Sequence, residues 1–147
     1  MRVSVIRDPS LTSLERRAVA EARLGPLLRE SGDHLHVPSR ASLSVRLTND
    51  GELRELNARF LGNDAPTDVL AFPAEERDRV GDVAISVERA LGQAKDGAAE
   101  LRLLAVHGLL HCLGHDHAEA GPAAVMTAVT RRLLPGADVP ELVTADA

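Results

Sequence analysis

The chain opens on a short apolar run, Val3 to Ile6, turns at Asp8-Pro9-Ser10, and then places Leu14, Ala18, Ala22 and Leu28 at helical spacing. That pattern predicts a strand and then a helix from about Ser13, capped by the Ser13 hydroxyl with Glu15 in its first turn and kinked or split at Gly25-Pro26. After a polar stretch from Ser31 to Arg40, Leu43, Val45 and Leu47 alternate with Ser44, Arg46 and Thr48, the period of two that a half-buried strand requires. Asn49-Asp50-Gly51 ends the strand, and Leu53, Leu56, Asn57 and Phe60 return to helical spacing as far as Gly62. A polar loop from Asn63 to Asp68 leads into a strand from Val69 to Phe72 that Pro73 stops. Glu75 to Arg79 reads as a hairpin loop and Val80 to Val87 as the returning strand.

Beyond Glu88 the pattern is helical throughout: Glu88 to Lys95, Ala98 to Leu113 ended by Gly114, and Pro122 to Leu134 ended by Pro135-Gly136. The order of elements predicts an α/β (α+β) fold, a small mixed sheet of about four strands packed with about five helices. No repeat or low-complexity run divides residues 1–147, so a single domain is expected, with residues 137–147 as a mobile tail that has little to hold it.

Composition narrows the setting. The single cysteine, Cys112, cannot build a disulfide framework, no apolar run reaches the length of a membrane span, and the first residues carry no signal-peptide core. A cytoplasmic protein with no membrane partner is expected. The net charge of −5 argues against a basic nucleic-acid coat, and with Phe60 and Phe72 as the only aromatics a base-stacking platform is excluded. What remains open is a local cleft in which arginines such as Arg46, Arg54 and Arg59 face phosphate.

The histidines alter this picture, because His107, His111, His115 and His117 crowd into eleven residues. The segment from Leu103 to Leu113 is apolar almost all round, so its helix is buried, and histidines do not belong there without a partner. His107 and His111 stand one turn apart on one face and can aim at a common ion. Gly114 can break the helix in a left-handed conformation and return His117 to that face; His115 is the poorer candidate, though spacing alone does not separate the two. Three neutral imidazoles with a fourth position open suit one catalytic zinc ion. Cys112 lies about 100° around the helix from His111 and is expected to pack in the core. The spacing H-x-x-x-H-x-x-G-x-x-H is also that of metzincin proteases, but those carry a glutamate general base after the first histidine, where this chain has Gly108.

The segment His107-Gly108-Leu109-Leu110-His111-Cys112-Leu113-Gly114-His115-Asp116-His117 resembles the YbeY family of bacterial endoribonucleases, whose pattern is H-G-x-L-H-x-x-G-x-D-H. Two further stretches are similar to that family: Leu56-Asn57, Phe60, Asp64, Pro66-Thr67-Asp68-Val69-Leu70 and Phe72-Pro73, and then Gly81-Asp82-Val83-Ala84-Ile85-Ser86. The resemblance implies a zinc-dependent, single-strand-specific endoribonuclease of small-subunit ribosomal RNA maturation and ribosome quality control. It carries the metal ligands onto His107, His111 and His117, with Asp116 as a candidate to orient a ligand histidine. The partners it implies are single-stranded or ribosomal RNA and the ribosome or its proteins, with no DNA.

Two departures stand out. The family's catalytic arginine falls on Leu61, which offers no forked charge to a phosphate; Arg59 is the candidate substitute, although on a helix it projects about 160° away from residue 61. The family's M-x-x-x-E is here Met126-Thr127-Ala128-Val129-Thr130. Leu61 motivates an alternative, a zinc-containing ribosome assembly or RNA-binding factor with reduced cleavage. An open metal site also allows a hydrolase of another substrate.

Overall fold

In the computed structural model, which describes residues 1–144, the alternating segments pair as the sequence pattern requires. Strand β1 (Arg2–Arg7) runs parallel to β2 (Ser42–Thr48), and β2 runs parallel to β4 (Arg79–Ser86). The hairpin from β3 (Val69–Pro73) makes the last pair antiparallel, so the order β1-β2-β4-β3 forms one mixed four-stranded sheet. The helices are α1 (Ser13–Ala22), α2 (Leu24–His34), α3 (Asp50–Leu61), α4 (Val87–Gln93), α5 (Gly97–Cys112) and α6 (Ala120–Leu133). The α/β class and the strand count are as expected; the described residues hold six helices because the first helical stretch is two.

The break explains itself. Arg23 takes a left-handed conformation between α1 and α2, and Gly25-Pro26 lies inside the first turn of α2, where a missing N–H is tolerated. Pro26 cannot serve the Ala22 carbonyl, and the Arg102 guanidinium of α5 donates to it instead at 2.9 Å. The cap of α1 is Thr12 rather than Ser13: its hydroxyl accepts from Glu15 N–H while the Glu15 carboxylate accepts from Thr12 N–H, a capping box. Of the expected apolar stripe Ala22 and Leu28 are buried, whereas Leu14 is 68% exposed and Val19 is buried in addition. Helix α2 also runs on to His34, into the polar stretch that begins at Ser31, with Ser31 buried and donating to the Leu27 carbonyl.

Strand alternation divides the core. Leu43, Val45, Leu47, Val83 and Ile85 belong to the main core with α1, α2, α4, α5 and α6, while Leu70 and Ala84 on the other face meet Leu53, Leu56 and Phe72 under α3. Helix α5 lies in the middle of the main core, its Leu101, Ala105, Val106, Leu109 and Leu110 fully buried. No helix among the described residues is long and apolar enough to cross a membrane.

The expected mobile tail includes residues 145–147, which lie outside the described residues. Over 137–144 the chain is irregular but tied down: Val139 is buried, Leu142 packs against the core, and the Arg131 guanidinium donates to the Val139 carbonyl at 3.0 Å.

Candidate metal centre

Helix α5 carries two of the three histidines into the wall of the core, and how it ends decides where the third goes. Gly114 adopts φ +96°, its N–H donates to the His111 carbonyl, and the His115 N–H reaches back to the Leu110 carbonyl, a Schellman closure. The next turn is set by Asp116, whose carboxylate accepts from the Ala118 N–H at 3.1 Å. The chain thereby doubles back, and His117 meets His107 and His111 with ring centroids 5.6 Å from each.

The three rings converge. Nε2 of His107 and Nε2 of His111 are 2.9 Å apart, and one ligand nitrogen from each histidine lies within 4.8 Å of the others. Zinc–nitrogen bonds of about 2.0–2.1 Å in a tetrahedron separate their nitrogens by roughly 3.3 Å, inside this range. The set could hold a metal ion. His117 is fixed from behind: a carbonyl can only accept, so the contact of its Nδ1 with the Val143 carbonyl at 3.2 Å makes Nδ1 the protonated nitrogen and leaves Nε2 with its lone pair.

Burial keeps the His107 and His111 rings neutral. Burial first, then the neighbouring His111 and His117, pushes the His107 pKa down to about 4, against a small opposing pull from Asp68. His111 is lowered as well, again chiefly by burial. Nitrogens that resist protonation at neutral pH are available as lone-pair donors to a cation. The metzincin comparison fails on geometry as well as on sequence, since Gly108 faces the sheet and a Cβ there would stand 2.6 Å from Val83 Cγ1. Cys112 is outside the convergent set; burial raises its thiol to about 11, and its Sγ lies against Gly81.

The other candidates are placed elsewhere. Asp116 spends its hydrogen bond on the turn, and the partner found for a ligand ring is the Val143 main chain. Arg59 lies in the last turn of α3, over the opposite face of the sheet, with its guanidinium 5.3 Å from the Phe60 ring centroid. Of the arginines expected to face phosphate, Arg46 is engaged by Asp8 and Glu52 and Arg54 by Asp64, whereas Arg59 has no carboxylate partner among the described residues. Leu61 is 54% exposed beside it. Sequence reasoning missed Val143, and it missed a cleft of about 280 Å³ between Asp68, Gln93, Glu100, His107, Thr127 and Leu142.

A buried helix that delivers convergent neutral imidazoles beside a small mixed sheet defines an α/β protein with a candidate metal centre, the class to which many metallohydrolases belong. Comparison with known proteins gives that class a family. The family model described as endoribonuclease YbeY matches residues 12–137, and the chain belongs to that family. It is 46% identical over 111 residues to the endoribonuclease YbeY of Gloeobacter violaceus, a match covering 66% of this chain and 57% of that protein. The endoribonuclease YbeY of Chloroflexus aurantiacus is 43% identical over 110 residues, covering 65% and 71%, and that of Moorella thermoacetica 42% over 117 residues, covering 68% and 75%. The solution structure of TM1509 from Thermotoga maritima superposes with a TM-score of 0.56 at 25% identity, covering 90% of this chain and 86% of that one.

Proposed function

We propose that this protein is a zinc-dependent endoribonuclease that cuts single-stranded RNA during small-subunit ribosomal RNA maturation and ribosome quality control, acting in the cytoplasm. The observation that carries the proposal is the convergence of His107, His111 and His117, in a chain of the YbeY family. These three hold one zinc ion. Zinc bound there supplies Lewis acidity toward a phosphoryl oxygen and a water acidified toward neutrality. The chain's own part is to keep the His107 and His111 nitrogens deprotonated by burial, to fix the His117 tautomer, and to offer no fourth protein ligand among the described residues. Asp116 acts by holding the turn that brings His117 back. Ribosomal RNA, with ribosomal proteins at its side, is the partner; no membrane or DNA partner is proposed.

A second reading is favoured by Leu61: a ribosome assembly or RNA-binding factor that keeps its zinc and cleaves slowly, because neither an apolar side chain at 61 nor an Arg59 laid on Phe60 supplies a fork to phosphate. One experiment addresses both. Metal content is measured on purified protein, and cleavage of a single-stranded ribosomal RNA fragment is followed with zinc, with chelator and in His111→Ala. Zinc-dependent cutting lost in His111→Ala is the expected result. Stoichiometric zinc without cutting favours the second reading, and absence of zinc uptake defeats both.

A further inference from the structure

The residues behind His117 form a connected chain that starts on α6. Thr127 is buried, and its Oγ1 donates to the Ala123 carbonyl at 2.9 Å while accepting from the Leu142 N–H at 3.1 Å. Leu142 precedes Val143, whose carbonyl takes the Nδ1–H of His117 at 3.2 Å. A few residues upstream, Arg131 clamps the Val139 carbonyl through both Nε and a terminal nitrogen, at 3.2 and 3.0 Å. Val139, Pro140 and Leu142 also wall the cleft that reaches His107.

We propose that residues 139–143 are a structural part of the metal centre and that Thr127 is a positioning residue for it. Thr127 sets the height of Leu142, Leu142 sets the Val143 carbonyl, and that carbonyl selects the His117 tautomer whose Nε2 is free for the ion. The reason is directional. An imidazole has two nitrogens, and the partner of one decides which presents a lone pair. His107 and His111 are oriented by a rigid, buried helix. His117 follows the helix break and owes its orientation to the strap. The proposal rests on the metal reading above, but the tautomer exists without the ion and can be measured without it.

The test is made on the full chain. In metal-free protein, the ring nitrogen-15 shifts of His117 report the tautomer directly, and zinc affinity is read separately by competition with a chromophoric chelator. Thr127→Val removes the acceptor while keeping the shape; Leu142→Pro removes the N–H from the other side, on an irregular segment, and serves where the α6 substitution disturbs folding. Both are expected to move His117 away from the pure Nδ1–H form and to weaken zinc by about tenfold or more, the usual cost of losing an outer partner of a ligand histidine. Thr127→Ser is expected to behave as the parent. Thr130→Val is the structural control, since Thr130 is also buried on α6 and its hydroxyl donates only to the Met126 carbonyl, at 2.7 Å. An unchanged His117 tautomer in both Thr127→Val and Leu142→Pro overturns the proposal, and so does an equal loss in Thr130→Val. Failure of the parent to take up zinc overturns the metal reading alone, and the tautomer then decides the role of the strap.

Discussion

Gly108 lies against Val83 with no room between them: a Cβ on Gly108 would sit 2.6 Å from Val83 Cγ1 and 3.0 Å from Cγ2. The residue after the first histidine is therefore a contact between α5 and β4, and it sets how closely the helix bearing His107 and His111 approaches the sheet. Gly108→Ala is expected to destabilise the fold by about 1–3 kcal/mol, the usual cost of overpacking. Urea denaturation of the single variants and of Gly108→Ala/Val83→Ala checks it. Trimming Val83 to Ala makes room, so the double variant is expected to be more stable than the two separate losses predict. Simple additivity would mean that the contact is slack.

Arg102 completes the account of the α1–α2 break. Because Pro26 has no N–H, the Ala22 carbonyl depends on the Arg102 guanidinium, at 2.9 Å. Arg102→Met keeps most of the aliphatic stem and removes the donor. A loss of about 1.5–3 kcal/mol is expected, the range for a hydrogen bond with a charged partner. A thermal or urea midpoint equal to the parent's would show that water serves the carbonyl equally well.

Legibility in the sequence followed the distance over which each feature is encoded. The pairing of His107 with His111 is one helical turn, Gly114 is the next local signal, and both could be read directly. The α1 cap was also written locally, as Thr12-x-x-Glu15, but the neighbouring Ser13 carries the same hydroxyl chemistry. The hold on His117 was not legible. Its partner lies 26 residues away and is a main-chain carbonyl, which every residue possesses and no side chain announces. Arg46 and Arg54 misled for a related reason. Their fate depended on Asp8 and Asp64, carboxylates that the fold brings near and that periodicity does not reveal. Phe60 of α3 and Phe72 of β3 meet edge to face at 5.6 Å, a contact between distant segments that periodicity does not reveal.

Position 61 separates the two functional readings. Leu61 is 54% exposed, so Leu61→Arg is expected to leave stability within about 0.5 kcal/mol of the parent. Any change in cleavage then reports chemistry rather than folding. A gain of about tenfold or more in cutting of single-stranded RNA is the outcome that the reduced-cleavage reading requires, since a charged fork supplied to a developing phosphate charge is commonly worth at least that much. A rate unchanged by the substitution, with melting also unchanged, would mean that cleavage draws nothing from this position and would remove the main support for the reduced-cleavage reading.

The depressed histidines predict the acid behaviour of the metal-free protein. The ordinary pKa of 6.5 describes the unfolded chain, and burial takes His107 down to about 4 in the fold. As pH falls below 6.5 the unfolded state binds a proton that folded His107 refuses, so the equilibrium shifts toward unfolding. The stability that neutral His107 contributes is thus whole above pH 6.5 and is lost down to about pH 4, at a slope approaching about 1.4 kcal/mol per pH unit for one histidine. His111, lowered for the same reason, adds in the same direction. Carboxylates such as Glu52, held low by Arg46, begin to contribute only nearer the bottom of that window. Urea midpoints measured with chelator at pH 7, 5.5 and 4.5 should fall more steeply for the parent than for His107→Gln, which cannot take up the proton. Parallel profiles for the two proteins would show that His107 is solvated in the folded state and that burial does not hold it neutral. With zinc present the same depression works in favour of His107 as a ligand, because protons compete for that ring only well below pH 6.5.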